Sequence, residues 1–157
     1  LRAGTAEGQA PFAAVLSCAD SRVPVELIFD QSIGHVFVTR VAGNVATPEI
    51  MASLEYGAVV LGTRAIVVLA HQSCGAVKAA IAGKAVPGQI SALYRPLRPA
   101  VEQGGGDVEA VAKANARIQA DLIATASPVI AEMIKGGTLK VVAAYYALAT
   151  GKVTVLG

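Results

Sequence analysis

The chain has 157 residues, of which 54% are apolar and 15% charged, with a formal net charge of +2. That is the length of one ordinary domain with a real hydrophobic core, and too short for two. The charges are scattered, which excludes the basic footprint of a nucleic-acid binder or a polybasic membrane anchor, and no apolar run is long enough for membrane insertion. So high an apolar fraction implies that part of the surface is buried against another copy, in a homodimer or higher homo-oligomer. Leu1 opens the chain without a methionine or an apolar signal core, so the expectation is a trimmed start on a cytoplasmic protein.

The elements alternate along the chain. "PFAAVLSC" is an apolar strand ending at Cys18, and Pro24 opens a short helix in "PVELIFD". "HVFVTRVA" is rich in β-branched and aromatic residues and reads as a second strand. Thr47 and Pro48 mark the start of a helix that Gly62 stops. "RAIVVLAH" is a continuous apolar strand, of the kind covered on both faces, and "CGAVKAAIAG" starts a helix directly after it. Residues 89–135 hold most of the remaining helix, with breaks expected at the prolines of "RPLRPA", at "GGGD" with Asp107 as a cap, and at "SPV". "TLKVVAAYYALATGKVTVLG" predicts a strand, a turn and a returning strand.

This order predicts a single α/β domain over residues 1–157. It has a mostly parallel central sheet, about four parallel strands plus an antiparallel edge strand, with helices on both faces.

In such sheets ligands bind beyond the carboxyl ends of the strands. The first strand ends in "CADSR" and the third in "HQSC", which places Cys18, Asp20, Arg22, His71 and Cys74 on one edge. Two thiolates and an imidazole are donors that zinc prefers, and three protein ligands leave a fourth tetrahedral position for water. Asp20 filling that position instead would close the site. Either cysteine alone is equally at home as a small buried apolar residue, and a disulfide is a further alternative. The gathering of these groups at strand ends favours a metal site. Ser21 shapes the turn, since no histidine is placed to activate it.

"CADSR" followed by "HQSCGAV" resembles the paired signature of the β-class carbonic anhydrases, C-x-D-x-R and H-x-x-C-G. The likeness extends through "ELIFDQ", "FVTRVAGN", "LEYG", "IVVLAH" and "YYALATGKV". The resemblance implies one Zn2+ per chain held by Cys18, His71 and Cys74, and reversible hydration of CO2 to bicarbonate and a proton by zinc-bound hydroxide. Asp20 would orient that hydroxide and Arg22 would keep Asp20 ionised and rigid. Gln9 matches a substrate-binding glutamine, and Phe37 and Tyr56 match aromatic residues of a narrow pocket at the dimer interface. The backbone amide of Gly75 is placed to stabilise bicarbonate or the metal site. Two alternatives share the metal residues: hydrolysis of a CO2 analogue such as carbon disulfide, and a closed structural zinc site in a non-catalytic oligomeric scaffold.

The sequence also departs from that family. The helical N-terminal arm common there is not seen before the first strand, and His35 stands where many relatives have aspartate, as a surface residue. Some relatives have a regulatory bicarbonate pocket built from tryptophan, arginine and tyrosine. Here Val15 takes the tryptophan position, Arg40 matches the arginine and Tyr145 or Tyr146 the tyrosine, so no such pocket is expected.

Overall fold

The computed structural model describes all 157 residues. In chain order the elements are β1 (Ala13–Ser17), α1 (Val25–Ile28), β2 (Val36–Arg40), α2 (Pro48–Val59), β3 (Ala65–His71), α3 (Gly75–Ala82), α4 (Tyr94–Gly104), α5 (Val108–Ala126), α6 (Pro128–Lys135), β4 (Lys140–Ala147) and β5 (Lys152–Leu156). The strands form one sheet in the order β2-β1-β3-β4-β5. Four strands run parallel and β5 returns antiparallel to β4. The predicted sheet is therefore present, antiparallel edge included.

Helix ends follow the local chemistry. Thr47 Oγ1 accepts from the Ile50 amide, Asp107 Oδ1 from the Ala110 amide, and Ser127 Oγ from the Ile130 amide. Each such cap contributes about 1 kcal/mol. Ser127 Oγ also donates to Glu55 Oε1 at 2.6 Å, which ties the start of α6 to α2.

The prolines of "RPLRPA" do not break the helix, contrary to the sequence expectation. α4 runs from Tyr94 through both of them to Gly104. Pro96 lies in the first turn, where backbone N–H groups have no partner within the helix, so the missing donor loses nothing there. Pro99 alone lies inside the helix, and it removes a single hydrogen bond.

The two faces of the sheet are unequally covered. Ala14, Leu16, Ile66, Val68 and Ala143 face one cluster, to which α2 to α6 all contribute, through Leu54, Val77, Leu97, Ile123 and Ile130. Burying each of the larger of these side chains stabilises the fold by roughly 1.5–3 kcal/mol. The opposite face presents Val15, Leu69 and Ala144 to Val23 and Val25, which come from α1 and the loop before it. Helices on both faces were expected, and both faces carry helix, but on this one it is the four-residue α1 alone. Beside it an apolar groove of about 290 Å3 runs past Phe12, Val15, Phe29, Val36 and Val67, and Phe12 is 55% exposed.

Candidate metal centre

β1 and β3 are neighbours in parallel register, Ser17 opposite Leu69, so their carboxyl ends lie side by side. Cys18 follows the last residue of β1, His71 is the last residue of β3, and Cys74 is the residue that caps α3. Between His71 and Cys74 the chain turns tightly, with Ser73 in the left-handed region at φ 55°. The Gln72 amide donates to the Tyr146 carbonyl at 2.9 Å, and Gln72 Oε1 accepts from the Ala149 amide at 3.1 Å, so the turn is anchored to β4 and the loop after it.

This geometry brings the ligand atoms of Cys18, His71 and Cys74 within 4.8 Å of one another, all three residues buried. Both cysteines are free thiols. His71 Nδ1 lies 2.9 Å from the Gln72 carbonyl. A carbonyl can only accept, so the proton sits on Nδ1 and the lone pair on Nε2. That Nε2 is buried without a hydrogen-bond partner. An orphaned imidazole nitrogen facing two thiols is costly in a folded core unless an ion occupies the space between them. Metal–ligand distances of about 2.0–2.3 Å would span it, and the S,S,N donor set suits zinc.

The electrostatics agree. Cys18 ionises first: the hydrogen bond from Cys74 holds its thiol well below the ordinary value against the opposing effect of burial, with His71 and the Gly43 amide adding to the pull. Cys74 is pushed up by its hydrogen bond to Cys18, by burial and by the Cys18 charge. Two facing thiols thus share a proton, an arrangement that a cation could take over.

Asp20 stands at the rim. Arg22 Nε donates to Oδ1 at 2.9 Å and Nη2 to Oδ2 at 2.7 Å, while the Arg22 amide adds a third bond to Oδ1 at 2.9 Å. Oδ2 lies 3.8 Å from His71 Nε2. The side-chain bonds from Arg22, helped by its amide and by His71, keep the Asp20 carboxyl well below the usual carboxylate range. Arg22 Nη2 also reaches the Ser73 carbonyl at 3.3 Å, which links the two loops that carry the ligands.

Two contributors were given no part in the metal centre by the sequence reading. Arg40 Nε donates to the Cys18 carbonyl at 2.9 Å and Nη2 to the Asp20 carbonyl at 2.6 Å, so the arginine considered for a regulatory pocket is spent holding the ligand loop. The Gly43 amide donates to Cys18 Sγ at 3.4 Å. An arginine at the end of the strand beside β1 was the available signal for the first. A backbone amide has no sequence signal at all.

The remaining candidates are dispersed. Gly75 is the first residue of α3, beside Cys74 on the metal edge. Phe37 and Tyr56 meet each other, ring centroids 6.2 Å apart. Phe37 pairs with Ala14, which puts it roughly 13 Å back along the sheet from Cys18 at the usual rise per residue. Gln9 lines a cavity with Ile33, Gly34 and His35, where β2 begins, at the opposite end of the sheet. His35 is exposed there and takes no part in the ligand cluster. Tyr145 packs in the helix-covered cluster and Tyr146 against the opposite one, with Val15.

Fold and site together define a parallel α/β protein with a Cys-His-Cys group able to hold a metal ion at the carboxyl edge of its sheet. Comparison with known proteins agrees. The carbonic anhydrase family profile matches residues 13–153. Carbonic anhydrase 2 of Mycobacterium tuberculosis is 39% identical over 159 residues, covering 96% of this chain and 77% of its own length. Among solved structures, the β-carbonic anhydrase CafA of Aspergillus fumigatus superposes with a TM-score of 0.91 at 28% identity, covering 99% of this chain and 80% of that one. A tetrameric β-carbonic anhydrase of Sordaria macrospora gives 0.89 at 27% identity, covering 97% and 83%. The chain belongs to the β-carbonic anhydrase family.

Proposed function

We propose that this chain is a zinc-dependent carbonic anhydrase that interconverts CO2 with bicarbonate and a proton. The observation that carries the reading is the buried, unpartnered Nε2 of His71 facing two thiols, with a carboxylate held in place alongside by Arg22. Cys18, His71 and Cys74 would hold the zinc, which would supply a Lewis acid able to activate water at neutral pH.

The chain's own residues do the rest. Asp20 remains an anion and accepts a hydrogen bond from the attacking oxygen, which aims its lone pair at the substrate carbon. Arg22 fixes both Asp20 oxygens, so the carboxylate is oriented before substrate arrives and is kept from turning to the metal as a fourth ligand. The Gly75 amide, at the start of α3, offers a donor to the bicarbonate anion. Gln9, Phe37 and Tyr56 lie too far from Cys18 within one chain, so they complete a pocket only as the contribution of a second copy. The tetrameric relative and the thinly covered sheet face support at least a homodimer. The ligand thiols must stay reduced, which suits a cytoplasmic setting. No helix is long and apolar enough to cross a membrane.

The test is stopped-flow CO2 hydration at alkaline pH on protein of assayed zinc content, with carbon disulfide as a second substrate. One zinc per chain with CO2 turnover is the expected result. Full zinc without CO2 turnover would overturn it, and turnover of carbon disulfide alone would reassign the substrate.

A further inference from the structure

α5 carries two amide side chains among buried residues that are otherwise apolar and mostly alanine: Val111, Ala112, Ala114, Ala116, Ala120 and Ile123. Asn115 is 0% exposed and Gln119 2%. Buried amides on an alanine face cost stability unless their hydrogen bonds are met. Both reach one loop, and Gln119 Nε2 also donates to the Pro96 carbonyl of α4 at 3.4 Å. Asn115 Nδ2 donates to the Gly43 carbonyl at 2.8 Å, and Gln119 Oε1 accepts from the Ala46 amide at 2.9 Å. Gln119 Nε2 donates to Asn115 Oδ1 at 3.1 Å, which locks the two into one unit.

The loop they hold is the one that donates the Gly43 amide to Cys18 Sγ. It is a strained turn. Val41 and Asn44 close it through a 2.9 Å backbone bond, with Gly43 at φ 79° and Asn44, a residue with a side chain, also left-handed at φ 42°. A Cβ on Gly43 would meet Leu97 Cδ1 at 3.2 Å and Ala76 Cβ at 3.3 Å, so the turn cannot shift toward the core. The bond from Asn115 to the Gly43 carbonyl fixes the following peptide plane and holds Asn44 in its strained conformation. Released, that plane is held on one side only, by the Asn44–Val41 bond, so it can tilt, Asn44 relaxes, and the Gly43 N–H loses its aim at the sulfur.

We infer that Asn115 and Gln119 are positioning residues for the metal centre, acting through Gly43 to keep a hydrogen-bond donor on the Cys18 sulfur. A donor on a thiolate withdraws electron density, so it tunes how strongly that ligand gives charge to a bound metal. The inference rests on Cys18 being a metal ligand.

The test uses the full chain loaded with cobalt(II), whose thiolate-to-metal absorption band reports electron density on sulfur. Asn115→Ala removes the donor, and Gln119→Met removes the bracing amide while keeping a side chain of similar length, so that a folded variant is available if the first fails to fold. Ile123→Ala, on the same helix, serves as an equally disruptive control without the amides. In both amide variants the band should move to longer wavelength, and metal affinity in chelator competition should fall about 10–100-fold. Ile123→Ala should lower the melting temperature and leave the band in place. Unshifted bands in folded amide variants, or an equal shift in Ile123→Ala, would overturn the inference. Failure of the unmodified chain to take up cobalt or zinc would instead show that the metal reading itself is wrong, and the inference falls with it.

Discussion

Arg22 holds Asp20 through both carboxylate oxygens, at 2.9 and 2.7 Å, from a side chain that is itself 52% exposed. Exposure makes the pair worth little as a stabilising contact. Its value is orientation. Asp20→Asn should therefore keep its zinc and lose only a little melting temperature at neutral pH, while CO2 hydration falls by about 100-fold or more. Arg22→Lys keeps the charge without the two-pronged geometry, so it should fall between the wild type and Asp20→Asn. Stopped-flow rates on variants matched for zinc content check this, and a fully active Asp20→Asn would remove Asp20 from the mechanism.

The same pair has a defined pH signature. The Asp20 carboxyl is depressed in the folded chain relative to about 3.9 in the unfolded one. Its contribution to stability is therefore fully present above about pH 4 and is lost only as pH falls through the folded value. Thermal melts of metal-free wild type and Asp20→Asn should differ by a constant amount from pH 5 to pH 9, and converge only in stronger acid. A difference that varies between pH 5 and pH 7 would show the carboxyl titrating in its ordinary range.

Gln9 and Asp20 lie at opposite ends of one sheet, so a pocket that uses both takes them from different subunits. Gln9→Ala and Asp20→Asn should each be impaired as pure proteins, and mixing them under conditions of subunit exchange should restore part of the activity. Each mixed pair would hold one site with both residues intact. No recovery, with exchange demonstrated by mass, would place Gln9 outside the site.

The Tyr145 hydroxyl is buried without a hydrogen-bond partner, and Lys113 Nζ sits 4.8 Å from the ring centroid. Burial, with Glu109 and Asp107 nearby, raises its ionisation above the ordinary phenol value. That contribution is present below about pH 10 and lost as pH rises through the folded value. Tyr145→Phe keeps the ring beneath the cation and removes the orphan, so it should be neutral or stabilising by up to about 1 kcal/mol at pH 7. Its melting temperature should also fall less steeply than that of the wild type above pH 10. A clear loss of stability at pH 7 would mean the hydroxyl is partnered after all.

The Cys18, His71 and Cys74 cluster was legible in the sequence because these are unusual residue types at the ends of apolar strands. The course of α4 was not. Two prolines look like a break until the helix start is known, and only then does Pro96 fall among donors that have no partner anyway. Both faces of β3 are apolar in sequence, which predicts cover on both sides without saying what supplies it. Asn115 and Gln119 sit one helical turn apart on an alanine face, a visible irregularity. What they serve depends on a contact with Gly43 and Ala46, more than seventy positions away in the chain.

The ligands also divide between two strands that are neighbours in the sheet but not in the chain, since β2 lies between them in sequence and outside them in space. Capture of an ion by all three of these side chains would thus have to wait until the 18–71 segment has closed on itself, a non-local step that is slow to reach. A metal-sensitive signal followed during refolding would time the zippering of β1 against β3. A newly made chain able to trap an ion there would, by that fact, already have joined β1 to β3, with the longer-range closure of β4 on β3 a separate step.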